Sequence, residues 1–155
     1  MTQLQATARV FSGFPGVGKS HAKDWLEKLG YVVADSDSSQ FSKEGFPDNY
    51  IHHIQQLLSE GKHNFIFVST HDSVRQGLTE AGIDYTLVYP DEGLKAAYLE
   101  RYVERGSPDG FIRLMENQWS QFIDSVRSAP QCNHIVLHSP EQYLVSVIKD
   151  LIPGL

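Results

Sequence analysis

The chain has 155 residues, with 13 Lys and Arg against 19 Asp and Glu for a net charge of −6, and one Cys. That length supports a single domain over 1–155, and 41% hydrophobic with 21% charged residues is an ordinary globular composition. The acidic balance argues against extended nucleic-acid binding, and the lone Cys132 rules out an internal disulfide or a Cys-rich zinc site. Apolar runs no longer than a few residues, such as Phe65 to Val68, leave nothing to span a membrane. MTQLQATARV lacks the apolar core of a signal peptide, so a cytoplasmic setting is expected.

Short β-branched or aromatic runs alternate with segments of helical period. Ala8 to Phe11 predicts a first strand, followed by the glycine-rich GFPGVGKS. Ala22, Trp25, Leu26 and Leu29 then fall at helical spacing, with Gly30 as a stop. Tyr31 to Ala34 predicts a second strand, and DSDSSQFSKEGFPDN leads to a helix with Ile51, Ile54, Leu57 and Leu58 on one face, closed by Gly61. Phe65 to Val68 lacks alternation and reads as a strand buried on both faces.

Asp72 opens a short helix to Ala81, and Tyr85 to Tyr89 gives a fourth strand. Asp91 begins a helix through Leu94, Tyr98 and Tyr102 that ends at Gly106. Ser107-Pro108-Asp109 then caps a long helix with Phe111, Leu114, Met115, Trp119, Phe122 and Val126 on its apolar face. Asn133 to His138 is the fifth strand, and Ser139 to Gln142 reads as a capping box for the last helix. Strands alternating with helices imply an α/β fold: a five-stranded parallel sheet between two helical layers, a three-layer α/β/α sandwich.

Gly13 to Ser20 satisfies G-x-x-x-x-G-K-[ST] between a predicted strand and a predicted helix. Glycines let successive N–H groups turn toward phosphate oxygens, and the following helix aims its positive end at them. The expected donor site is Gly13, Pro15, Gly16, Val17, Gly18, Lys19 and Ser20, binding ATP with Mg²⁺. Lys19 reaches the β and γ phosphates and the Ser20 hydroxyl ligates the metal.

The motif, chain size and element order resemble the P-loop (Walker A) kinases of nucleotides, nucleosides and small metabolites, bacteriophage-type nucleotide kinases among them. The resemblance covers Val10 to about Leu151. It implies a P-loop NTPase type of sheet, an acceptor-binding segment over about 36–60 and a short lid over about 101–113. Asp35-Ser36-Asp37 resembles the D-S-D of the shikimate kinase type, in which one carboxylate organises Mg²⁺ and the other contacts the acceptor hydroxyl, in either order here. The resemblance implies Asp35 at the metal and Asp37 at the acceptor, with either carboxylate open as the base. Arg101 and Arg105, on one helix face, and Arg113 match arginines that close over the transferring phosphoryl group in these kinases.

The third strand ends in Ser69-Thr70-His71 without a carboxylate, which disfavours motors and GTPase switches. No Arg lies between Arg9 and Arg75, leaving Lys43 and Arg75 as cations for an acceptor phosphate. Phe41, Phe46 and Tyr50 are candidates for stacking on a base, or for core. The expected function is transfer of the ATP γ-phosphoryl group to a small-molecule acceptor, a nucleotide such as a (deoxy)nucleoside monophosphate, with Asp37, Phe41, Tyr50 and Arg75 as its contacts. The alternatives are a kinase for a hydroxyl acceptor and a nucleotide-binding regulatory module without acceptor chemistry. His52 and His53, adjacent on a helix, diverge too far to chelate one ion; Trp25, Trp119 and Met115 belong to the core and Cys132 is structural.

Overall fold

The computed structural model describes residues 8–36, 41–130 and 132–152. The elements run β1 (Arg9–Gly13), α1 (Lys19–Lys28), β2 (Val33–Asp35), α2 (Asp48–Glu60), β3 (Phe65–Val68), α3 (Asp72–Glu80), β4 (Thr86–Pro90), α4 (Lys95–Glu104), α5 (Asp109–Arg127), β5 (Asn133–Leu137) and α6 (Leu144–Leu151). A single 3₁₀ turn, Glu92–Leu94, leads into α4. The strands form one sheet in the order β2-β3-β1-β4-β5, every pairing parallel.

Parallel neighbours need crossovers, and right-handed crossovers decide the layers. The step from β1 to β2 runs one way along the sheet, whereas β2 to β3, β3 to β4 and β4 to β5 run the other. This places α1 over one face and α2, α3 and the α4–α5 pair over the opposite one. Packing agrees: α1 lies beside α6, α2 beside α3, and α4 beside α5. A sheet covered on both faces needs apolar strands, and Phe65, Ile66, Phe67 and Val68 are all buried, as their lack of alternation predicts.

The chain leaves β1 toward β2 and leaves β3 toward β4, so the crossovers diverge between β1 and β3. Above the carboxyl ends of those strands lies the crevice where ligands bind in open α/β sheets. Four features differ from the sequence reading. β1 extends to Gly13 and β2 to Asp35, so both strands run into the crevice. The segment expected as a lid, 101–113, is mostly the end of α4 and the start of α5, joined by residues 105–108. Ser139 to Gln142 is a turn rather than the cap of α6. The Gln142 Oε1 accepts from the His138 and Ser139 backbone N–H groups, and the helix starts at Leu144 behind Tyr143. Finally, α5 has a non-helical residue at Gln118, with φ −120°.

Among the described residues no helix is long and apolar enough to cross a membrane.

Candidate active site

Residues 14–18 form the turn between β1 and α1. Gly16 and Gly18 both have φ of +93°, the left-handed region where side chains are strained. At Gly16 a Cβ would also stand 3.0 Å from the Tyr98 ring and 3.1 Å from the Tyr102 ring. The loop is held by its carbonyls. The Tyr102 hydroxyl donates to Pro15 O at 2.7 Å, Arg101 donates to Gly16 O at 2.7 Å, and the Leu144 N–H donates to Val17 O at 2.9 Å. A trans peptide points its C=O and N–H in opposite directions. Drawing the Pro15 and Val17 carbonyls outward therefore turns the Gly16 and Gly18 N–H groups the other way, and both residues line a cleft of about 850 Å³. The first turn of α1, with no side-chain cap on its N-terminus, adds further N–H groups there.

That cleft is where the sequence-predicted residues meet. Lys19, Ser20, Asp35, Arg101 and Arg105 line it, with Ser36, Ser69, His71 and Tyr143. The Lys19 ammonium donates to Gly13 O at 3.0 Å, at the mouth of the loop. Asp35 ends β2, one strand beyond β3 from the loop, paired in register with Phe67. Ser20, exposed, and Asp35 both line this cleft, and a hydroxyl with a carboxylate is a donor set suited to Mg²⁺, which keeps most of its shell as water and phosphate oxygens.

Arg101 is held at the cleft wall by several partners. Its guanidinium is layered between Tyr98 and Tyr143, 4.2 and 4.3 Å from their ring centres, and its nitrogens bond to Gly16 O and Pro140 O. It lines the cleft while fastening the loop to α4 and to the turn before α6. Arg105 is exposed over Tyr102 and Phe111 and bonds to the Ser107 hydroxyl at 2.9 Å. Arg113 is exposed on α5 and lines neither this cleft nor its neighbour.

The tyrosines that clamp the loop are protonated throughout the ordinary range. Burial pushes the Tyr98 and Tyr102 phenols up, Tyr102 most strongly, against the opposing pull of Arg101 and Arg105. The Tyr102 hydroxyl is therefore a dependable donor to Pro15 O.

The expected acceptor contacts part company. Tyr50 is fully buried and lines neither cleft. Its hydroxyl donates to Ser36 O at 2.7 Å and accepts from the Ser69 N–H at 3.3 Å, joining the ends of β2 and β3. The stacking expected of it is thus replaced by a structural role. Phe41 packs edge-on against Tyr50, 5.0 Å between centres, and beside His53 at 5.1 Å. Arg75, 5% exposed, donates from Nε to Thr70 O at 3.0 Å and from its terminal nitrogens to Ser125 O and Oγ at 3.1 and 2.6 Å. It braces the β3–α3 loop against α5, which explains its burial better than a phosphate contact does. Asp37 lies outside the described residues.

Sequence reasoning missed the Tyr98–Arg101–Tyr143 stack and the contact of Ser36 Oγ with His53 Nε2 at 3.1 Å. The first had a partial signal, Tyr98 and Tyr102 at i, i+4 around Arg101. The second had none, since it joins a strand end to a helix.

No family model and no curated protein matches the sequence. Solved structures do resemble the chain. A gluconokinase from Sinorhizobium meliloti 1021 is 17% identical over 95% of this chain and 90% of its own, with a TM-score of 0.54. The chain shares its α/β fold with that gluconokinase. An uncharacterized protein from Eubacterium ventriosum ATCC 27560 is 14% identical over 94% of this chain and 95% of its own, with a TM-score of 0.46.

Proposed function

We propose that this protein is an ATP- and Mg²⁺-dependent phosphotransferase that moves the γ-phosphoryl group to a hydroxyl of a small acceptor. The observation that carries this reading is the shared lining of one cleft by Lys19, Ser20 and Asp35, beside a loop whose carbonyls are tied to Arg101 and Tyr102. A gluconokinase with the same fold supports it.

Each residue has a physical task. The N–H groups of Gly16 and Gly18 hold phosphate oxygens, and Lys19 opposes the charge that gathers on the β and γ phosphates. Ser20 and one carboxylate of the Asp35/Asp37 pair would hold Mg²⁺, which neutralises phosphate charge when bound. The other carboxylate accepts the proton of the acceptor hydroxyl. The hydroxyl oxygen bonds to the γ-phosphorus, the bond from that phosphorus to the β–γ bridging oxygen breaks, and ADP leaves with the electron pair. Arg105 stands at the cleft wall, placed to screen the phosphoryl charge during transfer.

A hydroxyl acceptor is favoured over the nucleoside monophosphate expected from sequence. Arg75, the cation assigned to an acceptor phosphate, is committed to Thr70 and Ser125. The direct test is ADP release from Mg-ATP in the presence of hydroxyl acceptors. Acceptor-stimulated release supports the kinase reading; ATP binding without stimulation by any acceptor supports a regulatory nucleotide-binding module instead.

A further inference from the structure

A second cavity, of about 470 Å³, opens beside the first between the β3–α3 loop and α5. It falls in the size range of pockets that enclose small organic ligands. Its walls are mainly apolar: Phe14, Phe111, Leu114, Met115, Phe122 and Val126. Leu114 is 42% exposed although its helical spacing assigns it to the core, because the surface it would pack against is this opening. Lys19, Ser69 and His71 line both cavities, so the two meet at the residue that handles the transferring phosphoryl group. At that junction the Ser69 Oγ is buried and has no hydrogen-bond partner among the described residues.

We propose that this cavity is the acceptor site and that it takes an uncharged molecule with a flat apolar ring and a free hydroxyl, a nucleoside-like alcohol in place of a sugar acid or a nucleoside monophosphate. The assignment rests on the kinase reading above. The ring lies against Phe111, Leu114 and Phe122, and the hydroxyl reaches the junction at Lys19 and Ser69. The buried Arg75 at the cavity edge is held by Thr70 and Ser125, so an anionic substituent would enter an apolar pocket whose arginine is already engaged. The bonds made and broken are those given above, with the ring carried on the attacking oxygen.

The test measures ADP release and phosphorylated product with saturating Mg-ATP and, in turn, the four deoxynucleosides, their 5′-monophosphates and gluconate. At least one deoxynucleoside should raise ADP release by about tenfold or more, with equimolar phosphorylated nucleoside. Leu114→Arg should raise the KM for that nucleoside by about tenfold or more, leave the KM for ATP unchanged and retain the melting temperature, while Leu114→Met restores the nucleoside KM. Turnover with gluconate or a monophosphate in preference to deoxynucleosides overturns the cavity assignment and leaves phosphotransfer standing. The assignment also fails if Leu114→Arg leaves the nucleoside KM unaltered or shifts both KM values equally. ADP release stimulated by other hydroxyl compounds but by none of these overturns the cavity assignment alone; no release with any hydroxyl acceptor, in a protein that binds Mg-ATP, overturns both readings.

Discussion

The cleft over the β1–α1 turn and the cavity beside α5 share Lys19 yet are built on opposite physical plans. The first is organised by the backbone: its glycines are required by backbone geometry, and its carbonyls are tied to Arg101, Tyr102 and Leu144. The second is apolar, with a half-exposed leucine on its wall and one braced arginine at its edge. Recognition of a triphosphate requires fixed dipoles at fixed distances, which a tied loop supplies. Recognition of an apolar body requires volume and dry walls, which side chains from two separate elements supply. Substitutions confined to one region should therefore separate donor from acceptor behaviour.

The largest effect is expected where the regions meet. Lys19→Ala should lower kcat by about a hundredfold to a thousandfold, as loss of a preorganised charge donor does, without unfolding the protein. Kinetics beside a thermal melt check this; unchanged turnover would break the assignment of both regions at once.

Arg101→Lys acts on the donor side alone. Lysine has one point of attachment where the guanidinium has two carbonyl partners and two stacked rings, so stability should fall by about 2–3 kcal/mol. Denaturant titration gives the stability change. The KM for ATP should rise while binding at the α5 cavity persists, and equal loss on both sides would show that the comparison is misdrawn.

Tyr50→Phe removes the hydroxyl that joins Ser36 to Ser69. It should cost about 1–2 kcal/mol, because the Ser36 carbonyl loses a buried partner. An unchanged unfolding midpoint would contradict the role of Tyr50 as the strut between the ends of β2 and β3.

Tyr102→Phe has the smallest expected effect, about 1 kcal/mol at neutral pH, through the lost bond to Pro15 O. Its pH dependence is more informative. The folded phenol is raised, so its contribution is complete below the ordinary tyrosine value of about 10 and is lost as pH rises through the folded value. The deficit of the Phe variant relative to the native protein should therefore shrink above about pH 10. A deficit that is constant in stability curves taken from pH 8 to 11 would show that Tyr102 is not held as a buried neutral donor.

The two regions were unequally legible in the sequence, for a physical reason. Phe65 to Val68 declares a strand buried on both faces, Gly61 caps α2 with φ of +66°, and residues 13–20 encode the loop within one short segment. Local spacing carries all three. The cavity joins Ser69–Arg75 to residues 111–126, and no local period marks that meeting. Leu114 and Phe122 read as ordinary members of an apolar stripe, because periodicity reports which face turns inward and not whether anything covers it. Arg75 and Tyr50 resist assignment from sequence for a related reason: arginine and tyrosine suit a ligand contact or a buried strut equally well, and only their partners distinguish the two. The start of α6 was displaced because Gln142, the expected second member of a capping box, turns back onto the His138 and Ser139 N–H groups.

The central claim is transfer of a phosphoryl group, and the most direct measurement follows the γ-phosphorus of Mg-ATP by phosphorus NMR with a hydroxyl acceptor present. ADP and a new phosphate ester should form in equal amounts, with neither formed by Lys19→Ala. ATP that binds and stays intact beside every acceptor, or that yields only inorganic phosphate, would contradict it.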